Sequence, residues 1–521
     1  MKAQPKAHPL PSPPAEPLAL YRPRIQGGSA VYLAAIAALT LLAATLRAMR
    51  LDHPMRYDEA FSYLFFAARS DPRHWLSYLA PNNHVLHTIL EHFFIRAAEL
   101  LGLADAATGA PPAVLRMPAY LAGVALVPAT ARLAVMLDGR RLAGVLAATL
   151  VGASSILIEY SVNARGYSML ALASVALGIF TLQILRDARP QTPWTLWAAA
   201  AALGAFTVPV MLYPAALLAG LLALQIAWSP AATGHRRMLF TRLAVMLLTM
   251  AAVTLLLYLP VIFISGPGKL LANEFVVPQP MSVVLAGLPT AAARTLHHWT
   301  RDTSPLWMTL LGGGLGACLG RAWKRHSAVA LVPLAGPVLL AATAILHRVV
   351  PFPRVWLFLL PLLLACAAAG LAWLAAAISP RRWPWLGAVV CGVLLVIAAG
   401  HEAGAAMNRT YMISEEPNTL VDAEQIIRDV APMSDGHTTL IAWVPGWPSL
   451  GYYSMFHAPN GWLAADDPQC HRAIIVVAPA QTLQQVLTNT PYPRDRFAPP
   501  QPWREYPRAK VYLAQKNAHR P

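Results

Sequence analysis

Residues 29–60 read SAVYLAAIAALTLLAATLRAMRLDHPMRYDEA, and this stretch decides the fold. Its first part, about 29–49, is an apolar run long enough to cross a bilayer as a helix, which takes about 20 residues. No small-residue cleavage site follows it, so it reads as a signal anchor and not as a cleaved leader. Just beyond it stand two adjacent carboxylates, Asp58 and Glu59. Just before it, residues 1–28 are Pro-rich and basic, with Lys2, Lys6, Arg22 and Arg24, and read as a disordered cytoplasmic tail.

The rest of the chain extends the same theme. Of 521 residues, 57% are hydrophobic and 12% charged, where soluble domains carry about 25% charged residues. Mean hydropathy is +0.48. A purely soluble enzyme, a disordered chain and a disulfide scaffold are all excluded. Further apolar runs lie at about 113–137, 142–159, 167–185, 195–211, 214–229, 243–265, 305–320, 327–346, 354–378 and 384–400. Eleven spans result. Two prolines, Pro209 and Pro214, divide 195–229 into two of them.

The net charge of +16 would suggest nucleic acid in a soluble protein. Here short basic loops account for it, so no nucleic-acid partner is expected. Arg140/Arg141, Arg186/Arg189, Arg236/Arg237/Arg242, Arg321/Lys324/Arg325 and Arg381/Arg382 fall between alternate pairs of spans. They share a side with the N-terminal tail, and the positive-inside rule makes that side the cytoplasm. Two long segments, about 50–112 and 266–304, then lie outside. The four cysteines show no local pairing that suggests a disulfide or a metal site.

The expected fold class is a polytopic α-helical membrane protein. A tail (1–28) precedes a transmembrane domain (29–400), with an interfacial helix over His84–Gly102. A small α/β domain outside the membrane (401–521) follows. In it, Leu420–Val430 reads as helix, and Thr438–Val444, Ala473–Ala478 and Ala509–Ala514 read as strands. No repeat of convincing period and no nucleotide-binding glycine motif is present.

Four constellations could carry chemistry. Arg56-Tyr57-Asp58-Glu59-Ala60 places carboxylates at the membrane surface, where one could act as general base toward an acceptor hydroxyl. A helix N-terminus would also favour acids there. Pro81-Asn82-Asn83-His84-Val85-Leu86-His87 offers amide and imidazole groups suited to sugar hydroxyls, with Asn83, His84 and His87 as candidates. His84, His87 and Glu91 could share a helical face, but the spacing is not that of a known metal motif. Glu159-Tyr-Ser-Val-Asn163-Ala-Arg165-Gly-Tyr167 forms a polar turn between spans. Last, Pro351-Phe-Pro-Arg354-Val-Trp356 opens a span with an arginine on the wrong side, with Arg348 nearby. A lipid phosphate would explain such a cation.

In this order the motifs resemble the GT-C glycosyltransferase superfamily, and within it the group of the protein O-mannosyltransferases and the lipid A aminoarabinose transferase (glycosyltransferase family 39-like). Arg116-Met117-Pro118 opening the second span and Arg354-x-x-x-Phe-Leu-Leu-Pro361 complete the series, over roughly residues 30–400. The resemblance implies a polyprenyl-phosphate-linked sugar donor and a glycan, lipid or protein acceptor. It implies Asp58 as catalytic base, with Glu59 supporting it or contacting the acceptor. It implies that Arg165 and Arg354 neutralise the donor phosphate; Arg348 stands near enough to help, and Asn83, His84, His87, Glu159, Asn163 and Tyr167 are the candidate substrate contacts. Many relatives carry an acid where this chain has Asn163; either Glu159 substitutes for it or that role is absent. No metal ligand set is assigned and no cofactor is required by the motifs, while a divalent cation stays open because family members differ.

The expected protein is therefore a glycosyltransferase of a bacterial cytoplasmic (inner) membrane, with its active site and C-terminal domain facing the periplasm or exterior. A transporter or lipid flippase is the alternative. It predicts charges deep within spans and repeated halves, whereas the polar residues here gather at outer span ends. A scaffold that binds partners through its tail is the third reading.

Overall fold

The computed structural model describes residues 19–20, 29–105, 109–271, 277–325, 328–350, 352–408, 419–458 and 460–517. The tail 1–28 lies outside the described residues except for Ala19 and Leu20. Leu20 is not loose: its N–H donates to the Leu185 carbonyl at 2.7 Å, and its own carbonyl accepts from Gln225 at 3.4 Å.

The helices run in chain order as α1 (Ala30–Ala48), α2 (Tyr57–Ser62), α3 (Val85–Leu100), α4 (Met117–Asp138), α5 (Arg141–Ala153), α6 (Ser155–Ser161) and α7 (Tyr167–Arg186). Then come α8 (Thr192–Thr207), α9 (Leu212–Trp228), α10 (Arg236–Ser265), α11 (Met281–Thr300) and α12 (Pro305–Arg325). The bundle closes with α13 (Val332–His347), α14 (Leu359–Ile378) and α15 (Leu386–Asn408). Each expected apolar run folds as helix. Among the described residues, seven helices are long and apolar enough to cross a membrane, and α5 with α6, bent by 64° at Ser154, makes an eighth. The count falls short of eleven partly because α8 and α13 have 16 residues each. At 1.5 Å per residue they reach about 24 Å, less than the ~30 Å of a bilayer core. Residues 195–229 form two helices, separated at the extended Val208 by a turn that begins with Pro209.

α14 sits at the centre, buried along most of its length, whereas α1 and α10 leave most of their apolar side chains exposed. Such a surface needs lipid to cover it. Glycine sets the closest approach: a Cβ on Gly370 of α14 would collide with the Gly314 carbonyl of α12. At one end of the bundle the basic clusters meet helix ends. Arg140 and Arg321 both pair with Asp138, Arg186 donates to the Met136 carbonyl, and Arg242 donates to the carbonyls of Ala188 and Arg189. Asp58 lies at the opposite end.

Two segments at the Asp58 end are more ordered than loops. The expected interfacial helix is α3. Segment 266–304, read as a Pro- and Gly-rich loop, contains the 20-residue α11, with Pro289 inside it. Its Ala-rich second half favours helix despite the proline.

The C-terminal region holds α16 (Ala423–Val430), β1 (Thr438–Ala442), α17 (Gly446–His457), β2 (Arg472–Val477), α18 (Leu483–Asn489), β3 (Gln501–Tyr506) and β4 (Ala509–Gln515). The sheet order is β1-β2-β4-β3, with β1–β2 parallel and the other pairs antiparallel. β2 alternates Ile474 and Val476 toward one apolar cluster with Ala473, Ile475 and Val477 toward another, the period of two a strand requires. The first cluster continues through Leu450 and Tyr452 of α17 to Met55, Ala60 and Tyr63 around α2. The domain thus packs directly on the segment that carries Asp58.

Candidate active site

α2 begins where Arg56 leaves the extended backbone, and the Glu59 carboxylate accepts from the Arg56 N–H at 3.0 Å. This one-sided cap and the acids in the first turn suit a helix N-terminus. The two carboxylates then part company. Glu59 is fully buried. Arg116 grips it bidentately, Nε to Oε1 at 2.9 Å and Nη2 to Oε2 at 2.7 Å, and the Ala164 N–H donates to Oε1 at 2.6 Å. Arg116 also donates to the carbonyls of Leu51 and His53 at 2.6 and 2.8 Å. Burial pushes the Glu59 carboxyl up, but Arg116 and then Arg56 outweigh it and hold it below the usual range. Glu59 fastens the Asp58 loop to the N-terminus of α4 and to the turn after α6.

Asp58 faces three donors. Its Oδ1 accepts from the Asn82 amide at 2.7 Å, and its Oδ2 pairs with Arg165 at 2.5 Å and with Arg354 at 3.8 Å. Burial opposes its charge, yet Arg165, then Arg354 and the Asn82 bond, hold the carboxyl below its ordinary value. Arg354 rises from the turn Pro353–Trp356, its guanidinium 5.1 Å from the Phe352 ring centroid. Its side chain keeps 21% exposure against 4% for Arg165, so Arg354 lies on the open side of the cluster.

His84 closes the inner side. The Gly166 N–H donates to its Nδ1 at 2.8 Å, and its Nε2 stands 3.1 Å from the Arg165 guanidinium. Accepting at Nδ1 leaves the neutral ring's proton on Nε2. Burial, then Arg165, holds His84 well below the usual imidazole range. Nε2–H and the guanidinium are therefore two donors that face each other. Tyr167 packs edge-on to His84 at 5.0 Å and to Tyr160 at 5.5 Å, and the Arg165 guanidinium lies 5.7 Å from its ring centroid. From α11, His298 reaches the Tyr160 hydroxyl at 3.4 Å.

The other expected site residues are placed differently. Asn83 is consumed within its own loop: its amide donates to the carbonyls of Trp75 and Ser77, and its oxygen accepts from Thr88 at 2.7 Å. Its neighbour Asn82 reaches Asp58 instead. Glu159 pairs with Arg56 at 3.2 Å, fully buried and facing the back of the Asp58 loop. Asn163 lies in the turn between α6 and α7, with its side-chain oxygen buried. His87 stands 3.5 Å from Glu91 one turn along α3. Burial, then Arg165, holds the His87 imidazole down to about 3, and burial pushes the Glu91 acid well up, so burial favours the neutral form of each. Arg348 is exposed at the end of α13 and does not join the Asp58 cluster. Asn82, Arg116 and Arg56 are not among the expected site residues, although all three stand in motifs that the sequence displays. Among the described residues, no group of three or more His, Cys, Asp or Glu side chains is arranged to hold a metal ion.

No family model matches the chain, and no curated protein sequence matches it. Solved structures do resemble it. ArnT from Cupriavidus metallidurans bound to undecaprenyl phosphate is 14% identical, with 93% of this chain and 98% of that chain covered and a TM-score of 0.53. The same protein in the apo state gives 13% identity, the same coverage and a TM-score of 0.57. The archaeal oligosaccharyltransferase AglB from Archaeoglobus fulgidus, in complex with an inhibitory peptide and a dolichol-phosphate, is 13% identical. There 86% of this chain and 69% of that chain are covered, with a TM-score of 0.50. Over the bundle, the helical segments at the Asp58 end and the C-terminal domain, the fold of this chain is GT-C-like.

Proposed function

We propose that the protein is a glycosyltransferase that moves a sugar from a polyprenyl-phosphate-linked donor to an acceptor hydroxyl at the outer face of the cytoplasmic membrane. One observation carries this reading: the Asp58 carboxylate is flanked by Arg165 and Arg354 at the end of the bundle opposite the basic clusters. The likeness to structures that hold undecaprenyl phosphate and dolichol-phosphate supports a polyprenyl phosphate as the leaving group. The positive-inside rule supports the orientation.

The donor phosphate sits between Arg165, Arg354 and the Nε2–H of His84. An anionic oxygen there relieves the two facing donors, which otherwise oppose each other. Phosphate also draws the guanidinium charge away from Asp58. The carboxylate, held down without donor, becomes more basic once donor is bound, which brings its pKa closer to what proton abstraction needs. An acceptor hydroxyl then gives its proton to an Asp58 oxygen as its own oxygen attacks the sugar C1. The C1–O bond to phosphate breaks, and the electron pair leaves with polyprenyl phosphate, whose developing charge the arginines stabilise. A single displacement inverts C1. Because phosphate leaves without protonation, no second carboxylic acid is needed, and Glu59 serves as the anchor of the loop.

The test uses protein in nanodiscs with a panel of polyprenyl-phosphate sugars and cell-envelope extract, with free polyprenyl phosphate followed by mass spectrometry. Release from one donor, lost in Asp58→Asn, is the expected result. Release that persists in Asp58→Asn removes Asp58 as base, and no release from any donor moves the weight to a flippase or scaffold.

A further inference from the structure

A helix that breaks inside a membrane protein exposes backbone groups where water does not reach them. The four last carbonyls of the first half and the four first N–H groups of the second lose their partners, and each unsatisfied group in a dry environment is costly. The α5–α6 break at Ser154 is of this kind, since Ser154 and Ser155 are both buried. Two ionisable side chains from the first and last apolar spans of the chain meet it.

Arg47, at the end of α1, is fully buried. Its Nη1 donates to the Gly152 carbonyl and its Nη2 to the Val151 carbonyl, each at 3.1 Å, closing the C-terminal end of α5. Its Nε donates to the Ser161 hydroxyl at 3.1 Å, at the far end of α6. Glu402, from α15 and also buried, meets the other side of the break. Its carboxyl lies beside the main-chain N–H and the hydroxyl of Ser155, the first residue of α6, and beside the main-chain N–H of Ser304, with Oε1 lacking a hydrogen-bond partner among the described residues. The cation is on the negative end of α5, the arrangement that the helix dipole favours. α4 is cut to fit: a Cβ on Gly123 would collide with the Ser161 hydroxyl.

α6 leads straight into the turn that carries Arg165. We propose that Arg47 and Glu402 are positioning residues that fix the α5–α6 break and thereby aim Arg165 at Asp58. The consequence for donor binding rests on the function proposed above. Neither side chain touches the Asp58 cluster; each acts through α6. Lysine cannot replace Arg47, because a single ammonium does not span two carbonyls and a hydroxyl as the planar guanidinium does.

The experiment places the wild type, Arg47→Met, Arg47→Lys and Glu402→Gln in nanodiscs. Hydrogen exchange is followed over 154–166 and, separately, over α7. Undecaprenyl phosphate is the binding probe. Arg47→Met is expected to speed exchange over 154–166 by about tenfold or more while leaving α7 protected. It is expected to weaken undecaprenyl phosphate binding about tenfold, with Arg47→Lys and Glu402→Gln between it and wild type. Unchanged exchange over 154–166 overturns the proposal. So does faster exchange spread equally over α7, because the residues then support the whole bundle and not the break. Exchange confined to 154–166 with wild-type affinity overturns the link to Arg165. If the wild type itself binds no undecaprenyl phosphate, the functional reading fails, and the exchange data still decide whether these residues hold the break.

Discussion

Removing Arg116 should release the Asp58 loop, and the size of the effect follows from its contacts. Arg116→Met keeps much of the side-chain volume and deletes two bonds to the Glu59 carboxylate and two short bonds to the carbonyls of Leu51 and His53. Glu59 would remain fully buried with the N–H groups of Arg56 and Ala164 as partners. Breaking one side of a buried ion pair costs about 3–5 kcal/mol, largely because the other charge is stranded. At 1.36 kcal/mol per decade, that is roughly two to four decades in the opening equilibrium of the loop. The assay is hydrogen exchange over 50–63 in nanodiscs, with 167–186 as internal reference. Glu59→Gln alone strands the cation, which keeps its carbonyl partners, and should cost less. The double variant Arg116→Met/Glu59→Gln should be milder than Arg116→Met alone, since no uncompensated charge is left. A double variant as labile as the sum of the singles, or a loop that exchanges like wild type in Arg116→Met, would refute the idea that this pair holds the loop.

Other outcomes follow from the same contacts. Arg165→Met should weaken undecaprenyl phosphate binding by more than Arg354→Met, because Arg165 is the more buried cation and sits 2.5 Å from Asp58 against 3.8 Å; equal losses in a binding titration would contradict the assigned geometry. Asp58 and Glu59 have depressed values in the folded protein, so their contribution is present above the unfolded values and lost as pH falls through the folded ones. The acid limb of kcat/KM should therefore lie below the ordinary carboxylate range, without an imidazole inflection near 6.5; His84 and His87 are held neutral there, and such an inflection would show otherwise. Tyr453→Phe removes the hydroxyl that accepts from the Met55 N–H at 3.0 Å, and should cost about 1 kcal/mol of domain docking, read as faster exchange over 446–457 with β2 unchanged. Gly370→Ala should lower the thermal midpoint, since overpacking costs about 1–3 kcal/mol, and an unchanged midpoint would mean that α12 and α14 can separate freely.

Much of this architecture is legible in local sequence. Apolar runs mark the helices because lipid imposes a length on them, and Arg165 and Arg354 stand out as cations at the apolar ends of spans. What the sequence does not display is who pairs with whom. Nothing near Glu59 announces Arg116 from 57 residues away, and Arg47 and Glu402 look like ordinary span-end residues until the break at Ser154 is seen. Asn82 and Asn83 are chemically identical neighbours, and backbone direction alone decides that the first reaches Asp58. Arg348 shares the motif region of Arg354 but ends α13 with its side chain exposed. β3 went unread because Gln501-Pro-Trp-Arg-Glu-Tyr506 is a polar, exposed edge strand without alternation, and α17 because Gly446, Pro448 and Gly451 weaken a helical signal that packing on α2 restores.

The docking of α17 has a bearing on the order in which the protein is made. Met55, three residues before Asp58, is held by Tyr453 and Ser449, which lie 398 and 394 residues farther along the chain. At roughly 5–20 residues per second, the ribosome needs about 20–80 s to reach them after Met55 has emerged. Through that interval Arg116 can hold Glu59, but Met55 lacks its two partners from α17. The full set of contacts around the Asp58 loop is therefore completed only late in synthesis, once the C-terminal domain has folded.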